Sequence, residues 1–186
     1  AIAVELAQYL APILVYTCDE VWEHLAHEAS DTEGTACASV HLSTLPAPAP
    51  ARRDDALAAD FERLWAVRDD VLRELELARK NGLIGAGLEA SVTLHAGDAA
   101  LAALLAKYEA ELPALLIVSQ VALAAHAAAD WAAGQACAAL RINVARAPGA
   151  KCARCWNYSD TVGAGAAAPD LCQRCCTVVS AMSAGT

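Results

Sequence analysis

The sequence predicts an α+β protein laid out in series: a helical opening segment, a small mixed unit, and a compact knuckle held by four cysteines. Three observations carry that prediction. Apolar residues recur at helical spacing in the opening segment and again from about Leu57 to Leu75; beyond Gly87 the period changes to two; and two Cys-x-x-Cys pairs, Cys152/Cys155 and Cys172/Cys175, stand near the end with sixteen residues between them. The expected division is residues 1–50 for the helical segment and its linker, 51–146 for a long helix with the α+β unit, and 147–186 for the knuckle.

In the opening segment Leu6, Leu10, Ile13 and Leu14 keep helical spacing, with Pro12 marking a kink or a restart. This helix is expected to pack on something outside the chain. Thr17-Cys18-Asp19-Glu20 reads as a capping box opening a helix to about Glu28, with Val21, Trp22 and Leu25 on its buried face. His24 and His27 lie one turn apart but lack a third ligand and are expected on a solvated face. Residues 30–51 are polar and then alternate proline with alanine at Pro46, Pro48 and Pro50, which predicts a loop and an extended linker.

A long amphipathic helix follows, with Leu57, Phe61, Leu64, Trp65, Val71, Leu72 and Leu75 on or beside one stripe and Asn81-Gly82 as its left-handed cap. Leu88, Ala90, Val92 and Leu94 then alternate with polar residues as a half-buried strand. Asp98 is expected to cap a helix from about Ala99 to Glu111, which Pro113 breaks. Leu115-Leu116-Ile117-Val118 is expected to begin a second strand, and Leu140, Ile142 and Val144 to form a third.

The paired knuckles carry the clearest chemistry. Each places two sulfurs on one tight turn, and two such turns face to face make the closed tetrahedral cage of one structural zinc ion, with ligands Cys152, Cys155, Cys172 and Cys175. Disulfides would need an oxidising compartment, and a thioredoxin-like motif would need a single pair beside a βαβ unit. Cys176 leaves a register ambiguity in the second knuckle, while Cys18, Cys37 and Cys137 have no ligand spacing.

Charge adds a contrast. The chain of 186 residues carries a net −9, yet residues 141–176 hold five basic residues against two acidic, a local +3, and the rest holds eight basic against twenty acidic, or −12. Four thiolates with one zinc ion lower the tail to about +1, still basic against an acidic body, which suits local contact with phosphates and bases. The basic residues Lys151, Arg154 and Arg174 and the aromatic residues Trp156 and Tyr158 stand around the knuckles as the candidates for such contact, and Trp156 could equally cover the knuckle. No apolar run approaches a bilayer span and no secretory signal opens the chain, so a cytoplasmic protein is expected, with no membrane partner. The chain opens on Ala1 and its one methionine is Met182, which suggests a piece of a longer protein. No catalytic residue is assigned: carboxylate pairs such as Asp54-Asp55 and Asp69-Asp70 lie in helical or linker context, and the glycines at 82, 85 and 87 do not fit a dinucleotide fingerprint.

Taken in order, LAPILVYTCDEVWEHL near the start, SVHLSTLPAP around His41, RDDVLRELELARKNGLIGAGLEASVTL from Arg68, LIVSQVAL from Leu116, and KCARCWNYSDTVG with LCQRC at the end resemble the C-terminal region of isoleucyl-tRNA synthetases. The resemblance implies that residues up to about Pro50 end a helical anticodon-binding domain and that the remainder is a junction and zinc domain. It implies tRNA(Ile) and the synthetase's upstream domains as partners. It also implies a parent class I ligase that attaches isoleucine using ATP and hydrolyses mischarged valyl-tRNA, since a pocket gains only about 1–3 kcal/mol from one methylene. The H-I-G-H and K-M-S-K-S motifs are not in this stretch, so ATP is expected to be used by the parent and not bound here. Two other classes fit the knuckles alone: a formamidopyrimidine-type DNA glycosylase, whose finger is related, and a free-standing zinc-ribbon interaction module.

Overall fold

A computed structural model describes residues 2–25, 38–165 and 168–184, and it divides into two compact units, residues 1–54 and 55–186. The helix, sheet and cysteine-knuckle content is that of an α+β protein.

The first unit is a helical hairpin, α1 (Ile2–Leu10) and α2 (Val15–Leu25), closed by residues 38–52. Pro12 ends one helix and allows a restart: the amide of Leu14 bonds back to Leu10 O, and α2 begins at Val15. Thr17 is therefore inside α2 and not its cap, because the Cys18 amide already bonds to Leu14 O at 2.8 Å. The small core is Ala7, Ala11, Cys18, Trp22 and Val40. Trp22 is buried as expected, but Val21 is exposed, because the inward stripe of α2 runs through Cys18 and Trp22. Asp19 accepts from the Ser39 hydroxyl at 2.6 Å and the Val40 amide at 3.2 Å, pinning a 3-10 turn at Val40–Leu42 against α2. Leu6, Leu10, Ile13 and Leu14 are all substantially exposed, and Ile13 and Tyr16 reach 77% and 89%. His24 is exposed; His27, Glu28 and Cys37 lie outside the described residues.

In the second unit α3 (Asp55–Lys80) runs as one helix and ends as the Asn-Gly pair requires, with Gly82 at φ +71° and the Leu83 amide bonding to Ala78 O. It buries Leu64, Val67, Asp70, Val71, Leu75 and Ala78 against a four-stranded sheet of order β2-β1-β4-β3. The strands are β1 (Ala90–Ala96), β2 (Gln120–Leu123), β3 (Ala132–Ala133) and β4 (Leu140–Arg146). β1 pairs parallel with β2 and antiparallel with β4, in the register Val92↔Val121 and Val92↔Val144. A parallel pair needs a crossover, and α4 (Ala99–Lys107) with α5 (Leu112–Leu116) supplies it. Asp98 caps α4 by accepting from the Leu101 amide at 2.7 Å.

The run Leu115–Val118 is not the start of a strand. Pro113 sits in the first turn of α5, where its missing amide costs nothing, and Leu112 and Leu116 are fully buried as helical neighbours. Ile117 then takes a left-handed φ of +56°, its amide and that of Val118 bond back to Ala114 and Pro113, and the strand begins only at Gln120. α4 likewise stops at Lys107, short of Glu111. On β1 the alternate residues Ala90, Val92 and Leu94 are buried with 0% exposure, under the helices, while Ser91, Thr93 and His95 occupy the half-buried opposite face.

Candidate metal centre

After β4 the chain turns at Gly149, where φ is +86° and an added Cβ would lie 2.3 Å from the Ser159 carbonyl carbon, so only glycine fits. A short hairpin, β5 (Ala150–Lys151) with β6 (Tyr158–Ser159), carries the first knuckle at its tip. The Trp156 amide bonds back to Cys152 O at 2.9 Å and the Cys152 amide bonds to Asn157 O at 2.9 Å, which folds Cys152 and Cys155 onto one turn. The second knuckle opens α6 (Gln173–Ala184): Cys172 immediately precedes this helix and Cys175 lies in its first turn. No apolar period announces α6 in the sequence.

The four sulfurs of Cys152, Cys155, Cys172 and Cys175 all lie within 4.8 Å of one another. Cys155 and Cys172 are 3.8 Å apart, close to the edge of about 3.8 Å that a tetrahedron of zinc–thiolate bonds near 2.3 Å demands. All seven described cysteines are free thiols. Cys152 and Cys175 have no exposure and Cys172 has 6%, so no side of the cage opens on water through these three. Cys176 stands aside, its thiol directed at the carbonyls of Ala168 and Leu171 at 3.6 and 3.7 Å.

The surroundings suit thiolates. Burial opposes ionisation at Cys152, but the amides of Cys155, Cys172 and Arg154 more than offset it and bring that thiol down to about 6. At Cys175 burial is likewise outweighed, here by the Arg154 guanidinium, whose Nη1 lies 3.8 Å from the sulfur. At Cys172 burial prevails and lifts the thiol to about 11. Arg174 sits beside the Cys155 sulfur, which raises its own pKa above the usual arginine value. The donor set therefore fits one zinc ion: four soft sulfurs at tetrahedral separation, with two arginines against the net −2 that four thiolates and a dication would leave. When bound, the ion supplies a crosslink between the two knuckles, and with every ligand position taken by sulfur it offers no place for a reacting water.

The remaining candidates spread around this cage. Arg154 and Arg174 face sulfur. Trp156, directly after the first knuckle, has a left-handed φ of +66° and 61% of its surface exposed, with the Lys151 ammonium 5.4 Å from its ring centre. Tyr158 is half-buried in β6, and its main chain is fastened to the sheet: its amide donates to Ser119 Oγ at 2.8 Å and its carbonyl accepts from Gln120 Nε2 at 3.4 Å. Gln120 also reaches Pro148 O at 3.3 Å, and Ser119 donates to Leu88 O. Ser119 and Gln120 were hidden inside LIVSQVAL, where an apolar run suggested only a strand; the two polar residues that interrupt it were the available signal.

Comparison with known proteins agrees with this geometry. Residues 149–178 match the family described as the zinc finger found in FPG and IleRS. Over 174 residues, 94% of its length, the chain is 39% identical to the isoleucine–tRNA ligase of Geobacter sulfurreducens. Over this stretch the chain belongs with the isoleucine–tRNA ligases. It is also 40% identical over 185 residues to the ligase of Desulforudis audaxviator and 38% identical over 187 residues to that of Symbiobacterium thermophilum. It spans about a fifth of the length of these curated relatives, 18% and 19% of the first two. A match that runs through both units, and not the finger alone, favours the ligases over a glycosylase. Among the described residues no helix is long and apolar enough to cross a membrane.

Proposed function

We propose that the chain is the tRNA-holding part of an isoleucine–tRNA ligase, supplying anticodon-side binding and a structural zinc site and no catalysis. The parent enzyme would attach isoleucine to tRNA(Ile) with ATP in the cytoplasm and remove mischarged valine elsewhere in its chain. The observation that carries this reading is the pairing of a closed four-sulfur cage with the exposed Trp156 at its edge, in a chain related to these ligases over 94% of its length. A left-handed backbone at a bulky, exposed residue is costly, about 1–2 kcal/mol, and such strain concentrates where a side chain must be presented to a ligand.

In this reading Trp156 stacks on an unpaired base, Lys151 beside it meets the neighbouring phosphate, and Tyr158 sets the hairpin that carries both. Arg154 and Arg174 offset the net −2 of the cage, so that the edge carrying Lys151 and Trp156 does not repel the RNA. Residues 1–50, 51–146 and 147–186 act as the end of the helical anticodon-binding domain, the junction and the finger. The exposed Ile2, Leu6, Tyr9, Ile13 and Tyr16 of the first unit support a contact with upstream helices of the same synthetase. The test is binding of the zinc-loaded chain to a tRNA(Ile) transcript and to an unrelated tRNA. The cognate transcript should bind more tightly, and Trp156→Ala should weaken it by roughly 5- to 100-fold, the range expected for one base–aromatic stack, with zinc content unchanged. Equal affinity for both tRNAs would overturn the reading.

A further inference from the structure

The sheet face turned away from the helices is free of carboxylates. Ser91, Thr93 and His95 on β1 stand in register with Gln120 and Ala122 on β2 and with Ala145, Asn143 and Arg141 on β4, so six hydrogen-bonding side chains share this face with two alanines. In a chain of net −9 an acid-free polar face is unexpected. One end of it adjoins the finger, through the bonds of Gln120 to Pro148 and Tyr158. The other end opens into a cleft of about 390 Å³ lined by His95, Gly97, His126, Ala127, Ala139 and Arg141.

The cleft is built by its strands. His95 and Arg141 are direct cross-strand partners, which puts their Cβ atoms about 5 Å apart on one face. Arg141 donates through Nη1 to the carbonyls of Ala138 and Leu140, both at 2.9 Å, so its guanidinium is held in place with further donors to spare. His95 Nδ1 lies 3.0 Å from Ala124 O; a carbonyl only accepts, so Nδ1 carries a proton, and in that tautomer Nε2 is the ring's acceptor atom. A fixed guanidinium beside a hydrogen-bond acceptor matches a phosphate next to a ribose hydroxyl.

We propose that this cleft binds the RNA backbone, with a phosphate on Arg141 and His126 and the adjoining 2′-hydroxyl on His95 Nε2. The proposal rests on the reading of the chain as tRNA-binding and gives it a second anchor at the far end of the same sheet from the finger. A phosphate held by a guanidinium is a charge-assisted bond, and its loss removes about one counterion from the binding equilibrium.

The test uses the zinc-loaded chain and a tRNA(Ile) transcript over a range of salt concentrations. Arg141→Gln should lower affinity about 3- to 10-fold and reduce the slope of log K against log salt by about one. His95→Phe and His126→Ala should each lower affinity as well. If Arg141→Gln fails to fold, the other two variants decide. Wild-type affinity and slope in these variants, with Trp156→Ala weakening binding, would overturn the cleft and leave the finger reading standing. Loss on changing Arg141 with none on changing Trp156 would do the reverse, and no binding of the transcript by the wild-type chain would overturn both.

Discussion

Asp70 shows how much one residue can decide in this fold. It lies on the buried stripe of α3 with 1% exposure, yet it is charged. Its carboxylate accepts from the amides of Gln135, Ala136 and Cys137 at 2.9, 3.0 and 2.8 Å and from Arg73 one turn along at 2.8 Å. Burial alone would raise its pKa; the three amides and the guanidinium overcome that and hold it below the ordinary 3.8. Gly134 makes the approach possible, because a Cβ there would fall 2.5 Å from Asp70 Oδ2 and 2.3 Å from Cys137 O. Asp70 thus ties the long helix to the loop that feeds β4. Asp70→Asn keeps the shape but sets an NH₂ group against donors, and should cost about 2–4 kcal/mol in urea denaturation. Because the folded carboxyl gives up its proton more readily than the unfolded one, the unfolded chain binds more protons in acid. Wild-type stability should therefore be full above about pH 4 and fall as pH drops through the lowered native value, and the Asn variant should lose this part of the acid limb. An identical acid limb in both proteins would refute the assignment.

Among the elements, the join between sheet and finger hairpin rests on a few side-chain hydrogen bonds from Ser119 and Gln120. Ser119, just before β2, receives the Tyr158 amide and donates to Leu88 O, and Gln120 spans to Pro148 and Tyr158. Ser119→Ala should leave the zinc content intact, cost about 1–2 kcal/mol locally, and speed hydrogen exchange at the Tyr158 amide about tenfold or more, with Ser119→Thr restoring protection. Unchanged exchange in the Ala variant would show that the hairpin is held by something else. What was legible in the sequence divides along the same line. β1 and β4 were readable because alternation is local, as was the Asn-Gly end of α3, and the cysteine spacing announced the cage directly. The run Leu115–Val118 was not, because an apolar tetrad is compatible with strand or helix and the decision fell to Pro113 in a first turn and to a left-handed Ile117. The partners of Asp70 lie some 65 residues away, so its role was invisible to any window of sequence. Arg154 and Arg174 were legible as basic residues but not as neighbours of sulfur.

The whole molecule has two kinds of interior in its second unit. The sheet and helices share an apolar core of seventeen buried residues, including Leu64, Val71, Leu94, Leu101, Leu116 and Ile142. The finger has none of this: its buried cluster is Cys152, Cys172 and Cys175, flanked by the half-buried Cys155, Val162 and Leu171. Its helix α6 leaves Val178 and Met182 exposed, so it gains little from burial. A segment that buries mainly sulfur depends on whatever holds the sulfurs together, whereas a core of that size stands without it. Removing zinc with a chelator should therefore abolish amide protection across β5, β6 and α6 and leave β1, β4 and α3 protected, with only the contribution of α6 lost from the helical circular dichroism. Restoring zinc should bring the lost protection back. If chelation instead released β1 and β4, the finger would be part of the sheet's cooperative unit and the few bonds from Ser119 and Gln120 would have to carry far more than hydrogen-bond energies allow. If protection of α6 survived chelation, the cage would not be what folds the tail.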